Sequence, residues 1–223
     1  MAGYGQHRQA GYQQPYSQHQ QAVGYGHPQA SHGSEVPLIG IFDNYMAPYP
    51  TTIVLKEHVL SLTGDSLSIK REDGTPILQV EGKVMSISGR KKVRDMSGNH
   101  LFDIVKEHLH IHTTYACEHP QGQKLMEVKN SFKLFGSSAT ATFNDKTGKH
   151  HVLKMKGSIF DTHAEIIDEA RNGAIAARIN RKLLSGKDIF FGQQTYAVQI
   201  TEGYDQALIA AMCICLDEKN NEA

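Results

Sequence analysis

Ten consecutive apolar residues, Ala207 to Leu216, stand near the end of a chain of 223 residues. The stretch "QALIAAMCICLDE" holds good helix formers and no breaker, and Asp205 is placed to cap it. A helix from Asp205 to Glu218 would be a rod of about 21 Å, whereas a membrane span needs about 20 apolar residues. The apolar residues run fully round the helical wheel, so one face cannot be core and the other solvent. A helix apolar on every side has to be enclosed on every side by protein. Ala207, Leu208, Ile209, Met212, Cys213, Ile214 and Leu216 are therefore the expected centre of a domain.

The rest of the folded part must do the enclosing. From Pro37 onward, short alternating runs are cut by turn residues every eight to twelve positions, which is the texture of an all-β domain. Runs such as "SLSIKRE", "KKVRD", "SSATATFND" and "HHVLKMK" are separated by Asp73-Gly74, Ser97-Gly98-Asn99 and Lys146-Thr147-Gly148. Asn172-Gly173 lies between two similar runs, which favours a strand for "AEIIDEA" over a helical turn. Roughly twelve strands result. Antiparallel strands in that number close into a barrel too wide to be filled by side chains alone, and the C-terminal helix supplies the filling. The expected fold is all-β with one helix: a roughly twelve-stranded antiparallel β-barrel around a central hydrophobic C-terminal α-helix.

Composition divides the chain in two. Residues 1–34 hold eight Gln, four Tyr and four His but one charged residue, Arg8, and too little apolar surface to offset ordering entropy. They are expected to form a disordered Gly/Gln/Tyr/His-rich tail ahead of one domain over 35–223. Lys plus Arg equals Asp plus Glu at 23 each, so no global field recruits nucleic acid or membrane. Cys117, Cys213 and Cys215 lack CxxC spacing and read as free buried thiols. No basic-then-apolar leader is visible at the start. Together these favour a cytoplasmic or nuclear protein, with reversible peripheral attachment to membranes as the exception.

The stretch "REDGTPILQVEGKVMSISGRKKVRDMSGNHLFDI" resembles the first repeated strand block of the LURP-one-related family. "NGAIAARINRK" and "QTYAVQITEGYDQALIAAMCICLDE" resemble that family's closing signature, in which a Tyr-x-Val strand passes through Gly-x-Asp into an apolar helix ending at Leu-Asp-Glu. Those positions are Tyr196, Val198, Gly203, Asp205, Leu216, Asp217 and Glu218. The likeness covers about 36–223. It implies a Tubby C-terminal-like fold, shared with phospholipid scramblases. Where the family often has a Trp after its first His-containing strand, this chain offers Tyr115 and has no Trp anywhere.

No catalytic constellation stands out. The chain contains no G-x-S-x-G, H-E-x-x-H or G-x-x-x-x-G-K-[ST], and its conspicuous aspartates (Asp65, Asp73, Asp95, Asp145) sit at turns for backbone reasons. His108, His110 and His112 share one strand face, but the first and third lie about 13–14 Å apart and cannot hold one ion. No metal and no cofactor are expected. The densest basic cluster is "GRKKVRD": Arg90, Lys92 and Arg94 on one face, Lys91 and Val93 on the other. Lys154 and Lys156 alternate in "HVLKMKG" and extend the patch if folding brings them near. Because the Tubby branch of the fold binds phosphoinositides in a basic groove, the resemblance implies a non-catalytic binding or adaptor module for anionic phospholipid headgroups. The other reading is a protein-interaction scaffold whose tail recruits protein partners. Scramblase activity is disfavoured by the short closing helix.

Overall fold

The computed structural model describes residues 36–56, 66–82, 90–107, 113–132, 137–156, 163–180 and 195–221. The tail 1–34 and the three alternating histidines lie outside these residues. The strands are β1 (Thr51–Lys56), β2 (Ser66–Arg71), β3 (Pro76–Gly82), β4 (Lys91–Asp95), β5 (His100–Glu107) and β6 (Thr114–Glu118). They continue as β7 (Lys124–Phe132), β8 (Ser137–Asn144), β9 (His150–Lys156), β10 (His163–Asp168), β11 (Ala174–Asn180) and β12 (Thr195–Ile200). Each pairs antiparallel with its sequence neighbour, and β1 closes the ring against β12 from Thr51↔Ile200 to Lys56↔Thr195. The twelve strands form a closed barrel, and the helix α1 (Gln206–Asn221) follows β12.

The alternation of the strands sets what faces inward. In β4, Lys91 and Val93 are buried while Lys92 and Arg94 are partly exposed; in β9, His151, Leu153 and Met155 are buried. Against this inner face lies α1, with every residue from Gln206 to Asp217 buried. Ala207, Leu208, Ile209, Met212, Cys213, Ile214 and Leu216 are each at most 4% exposed and belong to the same core as the strands. Burial pushes the Cys213 thiol up to about 12, with the Asp217 carboxylate adding to the effect.

Four of the connections between strands are tight hairpins of one kind. Asp95 N–H donates to the Asn99 carbonyl and Gly98 N–H to Asp95, and the same pair of bonds recurs at Arg71–Thr75, His119–Gln123 and Asp145–Lys149. With antiparallel neighbours throughout, all four hairpins stand at one end of the barrel, together with the 169–173 turn and the entry of α1. The turn after β10 differs from the simple Asn172-Gly173 hairpin. The strand stops at Asp168, Glu169–Arg171 forms a 3-10 turn, and Asn172 takes a left-handed φ of 56°. Asp168 accepts from Ala170 N–H and so starts that turn, making "EAR" helical.

Replacing Ile209 with Asp places an unpaired carboxylate at a position 1% exposed. The expected cost is several kcal/mol, against a total stability of roughly 5–15 kcal/mol. Urea unfolding should show loss of the cooperative transition, or a large drop in its midpoint. Ile209→Val at the same position should cost only about 0.5–1.5 kcal/mol.

Candidate functional site

At the hairpin end, residues 39–47 cross the mouth of the barrel and pin the start of α1. Ile39 bridges to Tyr204, and Met46 to Asp205. Ala47 N–H donates to the Tyr204 carbonyl and Gly203 N–H to the Ala47 carbonyl. Phe42 stacks on Phe102 at 5.5 Å between ring centroids. The fastening centres on one carboxylate. Asp205 Oδ1 accepts from the N–H groups of Ala207 (2.9 Å) and Leu208 (3.3 Å), capping the helix. Asp205 Oδ2 accepts from Ile41 (3.0 Å) and Phe42 (2.8 Å) in the crossing segment. Burial pushes this carboxyl up to about 6, against the downward pull of its four N–H partners. Two glycines make the close approach possible: a Cβ on Gly40 would lie 2.2 Å from Asp205 Cβ, and one on Gly203 would lie 2.5 Å from the Pro37 carbonyl oxygen.

Beside this clasp runs a buried polar chain. His151 Nδ1 lies 2.9 Å from Asp168 Oδ2, and His151 Nε2 lies 2.9 Å from Asp145 Oδ2. Each ring nitrogen thus faces a carboxyl oxygen from a different turn. Asp168 also accepts from the Tyr204 hydroxyl (3.3 Å), which in turn accepts from Arg171 (3.2 Å). The Arg171 guanidinium also lies over the Tyr204 ring. Burial works to raise the Asp145 carboxyl, but bonds from Thr147, His151 and Lys149 outweigh it and bring the group down to about 2. Tyr204 is held above its usual value, first by burial. Phe143 stacks on the His151 ring at 5.3 Å. A general base has to reach a substrate proton. The His151 and Asp168 side chains are 1% and 0% exposed, so the chain joins three turns of the barrel mouth rather than meeting a substrate.

Sequence reasoning missed this network, although a signal was present. His151 and Asp168 occupy the inward parity of "HVLKM" and "AEIID", where polar residues need partners.

The basic residues singled out from the sequence do not converge. Arg90, Lys92 and Arg94 share the outer wall, as the alternation requires, while Lys91 points inward and is 8% exposed. Arg90 donates to Asp103 at 2.7 Å and Glu118 at 3.1 Å, and Arg94 to Glu81 at 2.9 Å. Lys92 stands in register between Glu81 and Asp103. Three cations at β4 thus stand between Glu81 on one side and Asp103 and Glu118 on the other. Lys154 and Lys156 are on β9, five strands from β4 and roughly 24 Å round the wall at about 4.8 Å per strand. Lys154 is paired with Glu169 there.

A trough of about 330 Å³ at the hairpin end is lined by Ile41, Gln123, Lys124, Leu125, Asn144 and Lys146, among others. It is charge-balanced too: Lys124 is held by Glu107 and Glu127, and Lys146 by Asp43. Among the described residues no group of three His, Cys, Asp or Glu is placed to hold a metal ion, and no helix is long and apolar enough to cross a membrane.

A closed barrel threaded by an apolar C-terminal helix is the Tubby C-terminal-like class of fold. Within that class, the chain belongs to the LURP-one-related family, whose model matches residues 51–217. Among curated proteins it is 24% identical over 209 residues to Protein LURP-one-related 15 of Arabidopsis thaliana, covering 89% of this chain and 95% of that one. It is 22% identical over 188 residues to Protein LURP1 of the same plant, covering 82% and 90%. An X-ray structure of an Arabidopsis thaliana protein superposes with a TM-score of 0.53 at 17% identity, covering 82% of this chain and 98% of that one. That likeness concerns the fold alone.

The raised Asp205 carboxyl fixes the sign of a pH effect. A folded value of about 6 above the ordinary 3.8 means a contribution to stability fully present below 3.8 and lost as pH rises through 6. The stability of the wild type relative to Asp205→Asn should therefore fall by up to about 3 kcal/mol between pH 4 and pH 7. Carbon-13 titration of the carboxyl should give a midpoint near 6. A flat difference would show that the clasp does not titrate there. Asp145, lowered to about 2, acts below this window: its contribution is present above 3.8 and lost as pH falls toward 2. Asp168→Ala should cost about 3–5 kcal/mol by stripping His151 and Tyr204 of a buried partner, readable in urea unfolding at pH 7.

Proposed function

We propose that the protein is a non-catalytic binding module that engages a protein partner on the outside of its barrel. The observation that carries this reading is the filled bore: α1 is buried along Gln206–Asp217, leaving recognition to the outer wall and the ends. The balanced charges at β4 supply the second support. An anionic headgroup approaching Arg90 or Arg94 has to compete with Asp103, Glu118 and Glu81 for the same guanidinium donors. The N-terminal 1–34 segment, rich in Tyr and Gln, is the candidate for recruiting further partners.

Binding of anionic phospholipid is the second reading, favoured by one specific observation: Arg90, Lys92 and Arg94 do share one wall. Liposome flotation at 0.05 M salt separates the two. With vesicles carrying a phosphoinositide, flotation should be no greater than with neutral vesicles. The triple variant Arg90→Gln, Lys92→Gln, Arg94→Gln should behave like the wild type. Strong flotation that the triple variant loses would replace the protein-binding reading with the lipid one.

A further inference from the structure

The described large apolar side chains that stay exposed are Val36 (41%), Leu38 (60%), Tyr49 (63%) and Met96 (49%). Single exposed apolar residues are ordinary on any surface; these four share one arc of the hairpin end, while the connections at the other end lie outside the described residues. All four lie at the hairpin end. Val36 and Leu38 flank Pro37, whose carbonyl packs on Gly203, and the next residue, Ile39, donates to the Gly203 carbonyl. Tyr49 leads into β1 and accepts from Thr51 Oγ1 through its carbonyl. The β2–β3 hairpin stands beside it, with Glu72 N–H donating to the Thr52 carbonyl. Met96 sits in the β4–β5 hairpin, two strands further round. From β12 to β4 this arc crosses four strand spacings, about 19 Å, the length of a helix of about 13 residues.

Acidic residues outnumber basic ones by one along the arc. Glu72 and Asp73 are exposed, and Asp95 and Glu202 are half-buried. The Asp73 carboxyl is held below its usual range chiefly by the Thr75 N–H, and the Asp95 carboxyl chiefly by Asn99. Opposing them are Lys70, Arg71 and Arg94, and Arg94 is committed to Glu81 and to the Gly98 carbonyl. The exposed lysines of this end, Lys124, Lys146 and Lys149, stand instead at the β6–β7 and β8–β9 hairpins, outside the arc.

We propose that this arc is a docking surface for a protein segment presenting apolar side chains flanked by lysine or arginine. The proposal rests on the protein-binding reading above and adds its place and its chemistry. Apolar centres with a charged rim are the ordinary anatomy of such contacts, and Tyr and Met are among the residues enriched in them. Complementary charge then selects a basic partner and repels an acidic one.

The test uses the full chain and two synthetic helical peptides of 18 residues, one with a leucine face flanked by lysines and one with glutamates in place of the lysines. By fluorescence anisotropy at 0.05 M salt, the lysine peptide should bind at least about tenfold more tightly than the glutamate peptide. The variant Leu38→Ser, Tyr49→Ser, Met96→Ser should lose at least about tenfold in affinity with its melt unchanged, since these side chains are exposed. Glu72→Gln with Asp73→Asn should weaken the salt dependence of binding. Equal binding of the two peptides overturns the proposal, as does binding that the serine variant leaves intact. Self-association or vesicle flotation that the serine variant abolishes also overturns it, by assigning the arc to a second copy or to a membrane. Lysine-peptide binding that maps elsewhere by amide shifts sinks the arc and leaves the protein-binding reading standing. Phosphoinositide flotation lost through Arg90, Lys92 and Arg94 sinks that reading instead.

Discussion

An apolar helix with no polar face is the constraint on which the rest of this structure depends. Such a helix has nowhere to go but the inside of something, and α1 is buried from Gln206 through Asp217. A helix with side chains is about 10–12 Å across, so the wall must be wide. Twelve strands supply that width, and small residues supply clearance: Ala139 and Ala141 on β8, Ala164 on β10 and Ala177 on β11 are all buried on the wall. The helix adds Ala207, Ala210 and Ala211 of its own to the same core. At the mouth, its first N–H groups face burial without water, and one carboxylate resolves this. Asp205 caps α1 with one oxygen and ties down the crossing segment with the other. Closing the mouth and starting the helix are thus one event.

The fold was legible because its signals are local and mutually consistent. The apolar run announced an enclosed helix, the alternating strands announced a wall, and Asp205 stood where a cap belongs. The 3-10 turn at Glu169–Arg171 was less legible, because the Asn172-Gly173 pair mimics a two-residue hairpin while the helical turn begins earlier, at Asp168. The segment crossing the mouth was not visible at all. Residues 37–47 carry no regular period, and their place depends on contacts with Gly203, Tyr204 and Asp205, more than 150 positions away. Gly40 looks like any loop glycine until its Cα is seen against the Asp205 side chain.

The candidate sites were harder to read for the same reason. "GRKKVRD" is basic along the chain, but a strand's outer face is completed by its neighbours. Glu81, Asp103 and Glu118 arrive from β3, β5 and β6 and neutralise what the linear sequence displays as an excess. The buried network reverses the case. Asp145 is a turn aspartate in the sequence and Asp168 part of a strand run, and each has a sufficient local job in bonding N–H groups of the turn that follows it. Their second oxygens meet on His151, and only the barrel's register brings the three together. A residue can therefore satisfy a local rule completely and still hold a long-range role.

The two polar devices at the mouth also bear on the docking surface proposed there. A surface that must order itself on binding loses affinity to entropy, whereas one already fixed does not. The mouth is fixed three times over: by hairpins closed through Asp95 and Asp145 side chains, by the Asp145–His151–Asp168 chain joining neighbouring turns, and by the Asp205 clasp on the crossing segment. Met96 is carried on the hairpin closed by Asp95, Leu38 precedes Ile39, whose N–H is bonded to the Gly203 carbonyl, and the Tyr49 carbonyl accepts from Thr51 Oγ1. On the outer wall Arg90, Arg94 and Lys154 are tied laterally to carboxylates and can meet a ligand only by giving up those pairs. Among the described residues, the end of the barrel that starts the buried helix is thus also the end that carries the exposed apolar side chains.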